Sequence, residues 1–502
     1  MKKENRILLL FSMLLSVLFI GLASKSSPLY PMNDWVDVNC FYTMGRGILD
    51  GMVPYRDLYE QKGPVLYFVY AIIALFSKDS YFGVYLLEVI TFGLFLYFSG
   101  KLAQIYLGAS KVVYLLISVL AAAVVTSWSF THGGSVEQNT LFITAYSMYS
   151  VLRAVHEGRG LTFKEAFLNG IFAGIVLWVK YTTLGLYLGL ALFVLIWYLT
   201  DSDLRKKLVS TIADFLLGVG AVTCIVFLYF AINGAMNDLF TVYFYNNIFL
   251  YSEEIEGSRW LVIWDCLKLA IKNNTNFGWL VWSGFFFLIL KDTRKWKDGL
   301  LIVLSFFGLT VGTYWGGKPW DYYGLVFAAF CIFGLIVWTV LLRQTKAFDL
   351  YHKYLPKHFI SAIVTVSLVL SILLTATLEY NQNQYLTKYK KEDTVQYRFA
   401  KIINSVEDPT LLNYGFLDGG FYYASGAKPA CRYFCYFNIN PPEMWEEQNA
   451  CITNGEADFI VTRAAQLEAY GIDTSKYQLV DEASHPFDQN YTFTYYLYQR
   501  IS

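Results

Sequence analysis

The segment that decides the fold is a polar stretch behind the first apolar run, residues 33–68: NDWVDVNCFYTMGRGILDGMVPYRDLYEQKGPVLYF. Asp37, Phe41, Met44 and Ile48 recur at helical spacing, which predicts an amphipathic helix that begins near Asp37 and lies on the bilayer surface. A carboxylate at this place can serve as the general base that takes the proton of an acceptor hydroxyl. An equally weighted alternative is that Asp34 or Asp37 only caps the helix.

The residues that follow predict the end of this helix, a polar connecting segment and then a short second helix. Gly51 and Pro54 end the first helix, and a polar strap from Tyr55 to Lys62 leads into the apolar run 64–76. That run would reach only about 20 Å as a helix, which is too short to cross a membrane, so it predicts a juxtamembrane or re-entrant helix. Arg56 and Lys62 can hold a phosphate, or they are interfacial cations that snorkel toward water.

The rest of the chain has the composition of a polytopic membrane protein. Of its 502 residues, 56% are hydrophobic and only 16% are charged, whereas soluble domains average about 25% charged residues. We predict about eleven transmembrane helices from the length of the apolar runs. These predicted spans are 7–23, 81–100, 112–127, 140–153, 166–179, 183–199, 209–232, 277–290, 299–314, 321–342 and 358–378.

The distribution of basic residues predicts the orientation of these spans. If the N-terminus is cytoplasmic and the run 64–76 does not span, every loop rich in Lys and Arg falls on the cytoplasmic side, as expected of a plasma-membrane protein. The first apolar run resembles a signal peptide, but it lacks a clear cleavage site, and an uncleaved helix is the simpler interpretation. This orientation puts the first loop (24–80) and everything after about residue 379 outside the cytoplasm, and a bacterial plasma membrane fits best.

The C-terminal residues 379–502 differ in composition from the spans, so we predict two domains, a transmembrane domain over 1–378 and a small extracytoplasmic α/β domain over 379–502. Strand patterns lie at 411–414, 458–462 and 492–498. Cys431, Cys435 and Cys451 fall in this part; a disulfide among three cysteines would leave one over, and no CxxC spacing indicates a structural zinc site.

Further polar residues stand at predicted outer ends of spans, where they can be functional or merely solvated. Glu137 and His132 lie in the short loop 127–139; a carboxylate at the mouth of a span is often functional. Cations that can bind a lipid phosphate are Lys180, Lys318 and, more weakly, Arg259. Asp321 and Tyr322 lie in an aromatic turn beside Lys318, and such aromatic residues occur at any membrane interface.

Several classes of function are disfavoured. The formal net charge is zero, so nothing suggests a nucleic-acid partner. The sequence lacks a P-loop and the HExxH and GxSxG motifs, which argues against an ATP-driven pump or a membrane serine hydrolase.

The first loop resembles that of the GT-C superfamily of integral membrane glycosyltransferases. The similar branches are the protein O-mannosyltransferase-like enzymes and the bacterial aminoarabinose transferases that modify lipid A. These families carry an acidic residue, an aromatic residue four positions on, a helix that ends in Gly, and a strap that precedes a short apolar helix. Asp37, Phe41, Gly51 and the run Lys62-Gly63-Pro64-Val65-Leu66-Tyr67 match in order and spacing. The likeness covers residues 1–200 and, more loosely, the whole pattern of spans.

The resemblance implies a donor of the polyprenyl-phosphate-sugar type and an inverting displacement at the outer face of the membrane. The acceptor stays open among an envelope glycan, a glycolipid and a protein. Val38 stands where relatives often have a second acid, which puts a divalent metal site in doubt, although Asp34 is placed to supply that acid. The candidate catalytic residues are Asp37, Asp34 and Glu137. The candidate phosphate ligands are Lys62, Lys180, Arg259 and Lys318, and the candidate substrate contacts are Tyr55, Arg56, His132, Asp321 and Tyr322.

Two other classes of protein remain as alternatives. One is a transporter or flippase for lipid-linked glycans, which would favour inverted repeats and polar groups near the midplane. The other is a polysaccharide polymerase or ligase, whose functional groups would be expected in a large later loop. The clustering of polar residues at one face favours a transferase.

Overall fold

The computed structural model describes residues 3–251, 257–288, 296–344, 359–439, 441–486 and 490–501. Helices occupy most of it, and the sheet is confined to the C-terminal part. In the N-terminal half the helices are α1 (Lys3–Ala23), α2 (Val36–Leu49), α3 (Pro64–Phe76), α4 (Phe82–Leu107), α5 (Val112–Val125), α6 (Val136–His156), α7 (Phe163–Lys180), α8 (Gly185–Leu199), α9 (Ser202–Arg205) and α10 (Leu208–Ile232).

The later helices are α11 (Met236–Asp238), α12 (Arg259–Asn273), α13 (Thr275–Gly284), α14 (Trp296–Tyr314), α15 (Cys331–Arg343), α16 (Phe359–Tyr380), α17 (Val395–Ile403), α18 (Phe421–Ser425) and α19 (Pro442–Asn454). A π-helical segment covers Leu239–Leu250, and the turn that precedes α15, Asp321–Phe330, is a 3₁₀ helix.

Among the described residues, six helical segments are long and apolar enough to cross a membrane, which makes this a multi-pass membrane protein. They are Lys3–Ala23, Phe82–Leu107, Phe163–Leu199, Leu208–Ile232, Trp296–Tyr314 and Asp321–Arg343. Each of the eleven predicted spans overlaps helical residues, but a span count of eleven stays a prediction; residues 289, 290 and 358, at the ends of two of them, lie outside the described residues. The predicted short helix 64–76 is confirmed as Pro64–Phe76.

The C-terminal sheet has five strands: β1 (Thr410–Tyr414), β2 (Lys428–Pro429), β3 (Phe459–Arg463), β4 (Tyr477–Pro486) and β5 (Thr492–Arg500). Their order is β2-β1-β3-β5-β4; β1 pairs in parallel with β2 and β3, and β5 pairs antiparallel with β3 and β4. The three predicted strands are therefore confirmed to within two residues. The pattern missed β2, which has two residues, and β4, most of which is polar and half-exposed.

By their internal contacts the described residues divide into two compact units. Unit 1 comprises Met1–Ser24, Tyr85–Thr223 and Glu254–Asn381, and unit 2 comprises Lys25–Val84, Cys224–Glu253 and Gln382–Ser502. The predicted first outer loop and the C-terminal sheet thus belong to the same unit. The domain boundary at residues 378 and 379 stays a prediction.

Within unit 1, α8 and α14 approach each other until their backbones touch. A side chain at Gly185 would collide with the backbone at Gly308 and Gly312, and one at Gly189 would collide with the backbone at Leu304. Small residues allow such an approach between membrane helices, where dispersion contacts rather than hydrophobic burial hold the helices together. The contact fixes the helix that begins five residues after Lys180.

Within unit 2, α2 is more deeply buried than an amphipathic surface helix would be. Residues 38–45 are all buried, and Gly45 lies directly against the backbone of Tyr70 and Ala71 in α3. On another side, Thr43 donates a hydrogen bond to Asp418 at 2.8 Å. The C-terminal segment therefore covers one face of α2, and a helix lying on the bilayer stays a prediction.

Candidate functional site

The first group of candidate residues lies at the start of α2. Trp35 is the N-cap of this helix and no side chain caps it, so neither Asp34 nor Asp37 has the capping role that was the alternative. Asp37 stands in the first turn and is half-exposed. Among the described residues its carboxylate makes no hydrogen bond or ion pair. A carboxylate at a helix N-terminus is stabilised by the helix dipole even without a cationic partner.

Asp34 has a different environment from Asp37. Its carboxylate receives a hydrogen bond from the Lys25 ammonium at 2.6 Å, and both residues are buried. His485 Nε2 lies 3.6 Å from the other carboxylate oxygen. In the described part of the chain, no group of three or more His, Cys, Asp or Glu residues is placed to hold a metal ion. The position proposed for a second metal-binding acid is thus part of a buried ion pair.

The strap after α2 is built around a carboxylate that the sequence pattern left without a role. Glu60 is 5% exposed; the Tyr67 hydroxyl and the Lys62 amide both donate to it, the amide at 2.9 Å. Burial raises the pKa of Glu60, and the negative charge of Asp37 raises it further. Asp37 and Glu60 are therefore close enough to interact, although they are separated by the whole of α2.

Two tyrosines fix the backbone from which the Lys62 side chain extends. The Tyr55 hydroxyl donates to the Lys62 carbonyl at 2.5 Å and the Tyr67 hydroxyl donates to it at 2.9 Å. Tyr55 has a φ of +72°, a left-handed conformation that few side chains adopt. The Lys62 ammonium lies 5.8 Å from the centre of the Phe41 ring. This arrangement holds the cation on the α2 side of the strap.

Arg56, by contrast, is an exposed residue with its own partners. Its guanidinium donates twice to the Asp57 carboxylate, at 2.8 Å each, and once to the Asn233 carbonyl at 2.8 Å. The Asp57 hydrogen bonds raise the pKa of Arg56, and those of Arg56 lower the pKa of Asp57. These contacts match the description of an interfacial cation better than that of a phosphate ligand.

The second group of candidates lies in unit 1 around Lys180. α7 ends at this residue, and its ammonium forms an ion pair with Glu137, in the first turn of α6. Both side chains are buried. The ammonium also lies 3.7 Å from the centre of the Tyr323 ring and 5.4 Å from that of Tyr322. The structure thus joins Glu137, Lys180 and Tyr322, three predicted site residues from separate segments.

A second buried carboxylate supports this cluster, and the sequence analysis missed it. Glu88 in α4 is fully buried; it accepts a hydrogen bond from Ser24 at 2.9 Å and one from the Gln138 side chain at 3.0 Å. The Gln138 side-chain oxygen in turn accepts from the Gly134 amide, so Glu88 fixes the loop that precedes α6. A lone acid in an apolar span, YLLEVITFG, was the signal that could have found it.

The remaining predicted residues of unit 1 are Arg259, Asp321, Lys318 and His132. Arg259 is the first residue of α12 rather than part of an irregular loop; its guanidinium donates to the Trp315 carbonyl at 2.5 Å and lies 5.2 Å from the Trp315 ring. Asp321 is exposed, and its carbonyl accepts from the Ser129 hydroxyl. Lys318 and His132 are half-buried, and His132 stands between Thr131 and Gly133, both with positive φ.

Comparison with solved structures shows that the chain shares the fold of ArnT. It is similar to ArnT from Cupriavidus metallidurans bound to undecaprenyl phosphate, with a TM-score of 0.58, 11% identity, and coverage of 98% of this chain and 97% of that one. It is likewise similar to ArnT from the same organism in the apo state, with a TM-score of 0.57, 12% identity and the same coverage. No protein-family model and no curated protein matches the sequence. The resemblance seen in the first loop is thereby confirmed for the fold.

Proposed function

We propose that this protein is a glycosyltransferase that moves a sugar from a polyprenyl-phosphate donor to an acceptor hydroxyl at the outer face of a bacterial plasma membrane. The observation that carries the proposal is the contrast between two neighbouring acids in a GT-C fold. Asp34 is neutralised by Lys25 in the interior, while Asp37 stays half-exposed and has no bonded partner among the described residues. Asp37 is therefore the acid available to take a proton.

In the proposed reaction Asp37 acts as the general base. It removes the proton of the acceptor hydroxyl as the oxygen attacks the anomeric carbon, and the carrier phosphate leaves from the opposite side of the sugar, which inverts the configuration. Since a phosphate is already a good leaving group, no separate general acid is required. Glu60 lies near Asp37, whose negative charge contributes to the raised pKa of Glu60, so the two acids belong to one polar cluster.

The leaving phosphate needs positive charge, and each unit offers a candidate. In unit 2 this is Lys62, whose backbone is fixed by two tyrosine hydroxyls. In unit 1 it is Lys180, with Arg259 and Lys318 as weaker candidates. A cation held in place before the reaction stabilises the charge that develops on the leaving group without a cost for reorganisation. ArnT was crystallised with undecaprenyl phosphate, and a carrier of that kind is the donor lipid proposed for this chain.

The alternative functions predict a different result at Asp37. A transporter or flippase needs no base, and a polymerase or ligase would place its base in a later loop. The test uses Asp37→Asn with Asp50→Asn as a matched control, since Asp50 directly follows the same helix and is exposed. The assay measures release of labelled sugar from a synthetic polyprenyl-phosphate-sugar in proteoliposomes, together with donor binding.

We expect Asp37→Asn to lower turnover by about 10²- to 10⁴-fold, the usual contribution of a general base, while donor binding is retained. Asp50→Asn should behave like the unaltered protein. Full turnover in Asp37→Asn would refute the assignment of the base. Lipid translocation without sugar release by the unaltered protein would favour the transporter.

A further inference from the structure

Two cysteines that are far apart in the sequence come together in unit 2, one from the first loop and one from the C-terminal part. Cys40 lies in α2, and Cys435 lies between β2 and α19. Their sulfur atoms are 3.9 Å apart across 395 positions of the chain. Both are buried, with exposures of 4% and 0%. Cys435, one of the three cysteines in the C-terminal part, therefore has a cysteine of the first loop as its neighbour.

Cys431 and Cys451 lie in another part of unit 2. Cys451 is 1% exposed in the core of the C-terminal sheet, and Cys431 packs against that core. The other three of the seven cysteines lie elsewhere, Cys224 in α10, Cys266 in α12 and Cys331 in α15. The thiols of Cys266 and Cys331 point at the carbonyls of Gly317 and Phe277.

We propose that Cys40 and Cys435 form a disulfide in the mature protein. Their sulfur atoms need to move closer by about 1.9 Å to reach the length of a disulfide bond, which is about 2.05 Å. Both partners lie on the predicted outer side of the membrane, and disulfides persist in extracytoplasmic, oxidising compartments.

Formation of the disulfide requires an oxidant, and an external thiol oxidase supplies it. One cysteine thiolate attacks an exchangeable disulfide of the oxidase to give a mixed disulfide; the second thiolate displaces the oxidase, which leaves as a dithiol. The two cysteines lose two electrons and two protons in total. Burial raises the pKa of Cys40 and of Cys435, so the enclosed thiols are poor nucleophiles. The bond must then form before α2 and the C-terminal segment pack together.

The disulfide would give α2 a covalent connection to the C-terminal part of the chain. Cys40 is three residues after Asp37, which is about one helical turn. Fixing Cys40 to Cys435 therefore limits the movement of the turn that carries Asp37. Thr43 and Arg46, farther along α2, bind the same C-terminal part through Asp418 and the carbonyls of Tyr422 and Gly426.

The test is a differential labelling of the full-length protein in its native membranes. The thiols are trapped by acid, the protein is denatured and blocked with one maleimide, then reduced and labelled with a second maleimide of different mass, and the peptides are identified by mass spectrometry. We expect Cys224, Cys266 and Cys331 to carry the first label, and Cys40 and Cys435 to carry the second. Without reduction, a cross-linked peptide should join Cys40 to Cys435.

Variants assign the partners. Cys40→Ser should shift Cys435 to the first label, Cys435→Ser should shift Cys40, and the control Cys224→Ser, at an exposed site, should change neither. The proposal is overturned if Cys40 or Cys435 takes the first label in the unaltered protein, or if either is linked to another cysteine. The peptide map of the unaltered protein decides the question even where a serine variant fails to accumulate.

Discussion

The ammonium of Lys180 forms an ion pair with the carboxylate of Glu137 at a place where both side chains are almost shut off from solvent, with residue exposures of 8% and 1%. Two aromatic rings, Tyr322 and Tyr323, flank the cation. A buried pair of this kind is sensitive to the loss of one member, since the other charge is left without compensation in a medium of low polarity. The same cation is a candidate for contact with the donor phosphate.

Removing one partner of this pair should destabilise the protein more than removing both. We expect Glu137→Gln and Lys180→Met each to cost about 3–5 kcal/mol of stability, and the double variant to regain part of that loss. Thermal unfolding in detergent, followed by tryptophan fluorescence, measures the difference. If the double variant is as unstable as the sum of the single ones, the two side chains do not act as a pair.

Glu88 should act on the Glu137 and Lys180 cluster without contacting substrate. Glu88→Ala removes the acceptor of the Ser24 and Gln138 hydrogen bonds; leaving buried donors unsatisfied costs about 1–3 kcal/mol each. We expect a lower unfolding temperature and a slower turnover. Glu88→Gln keeps an acceptor oxygen and should recover part of both. Equal losses in the two variants would show that the charge of Glu88, and not its hydrogen bonding, is what matters.

The stability of unit 2 should depend on pH through Asp418. Burial raises the pKa of this carboxyl to about 6, against 3.8 as its ordinary value. The folded state therefore binds the proton more tightly than the unfolded state, and this stabilisation is complete below pH 4 and lost as the pH rises to about 6. The shift of about two units corresponds to a loss of roughly 3 kcal/mol.

Asp418→Asn isolates that contribution, since an amide keeps the shape but does not titrate. We expect the unfolding temperature of this variant to change less between pH 4.5 and pH 7 than that of the unaltered protein. Thr43→Val is the matched comparison variant. It removes the hydrogen bond that Thr43 donates to Asp418 and leaves the titrating carboxyl in place. An unchanged pH profile in Asp418→Asn would assign the dependence to other groups.

Lys62 and Arg56 provide a comparison of two cations on the same strap. We expect Lys62→Ala to raise the KM for the donor at least about tenfold, since a charge-assisted hydrogen bond contributes about 1.5–3 kcal/mol. Arg56→Ala should change the KM less than about twofold, because an exposed ion pair contributes about 0–1 kcal/mol and the guanidinium is already engaged by Asp57. Steady-state kinetics with a labelled donor measures both. If the two variants raised the KM equally, Arg56 would have to break its ion pair with Asp57 and bind the donor itself.

Much of the architecture could be predicted from local patterns. Apolar length located the helical segments, and the apolar run 64–76 predicted α3 with its observed bounds. Alternation and turn residues located β1, β3 and β5. Each of these signals depends on residues that are close in the sequence. The burial of one face of α2 could not be predicted in this way, because Asp418 and other residues that cover it follow nearly 400 positions later.

The sequence by itself determined that this is a membrane protein with apolar helices, a short helix after a polar strap, a small C-terminal sheet and a first loop that resembles those of the GT-C superfamily. Only the tertiary structure decided which acids are paired: Asp34 with Lys25, Glu137 with Lys180, and Glu88 with Gln138, while Asp37 keeps its solvent access. The physical reason is that hydrophobic patterning is a property of neighbouring residues. The charge state and availability of a carboxylate depend instead on which distant groups the packing brings within hydrogen-bonding distance.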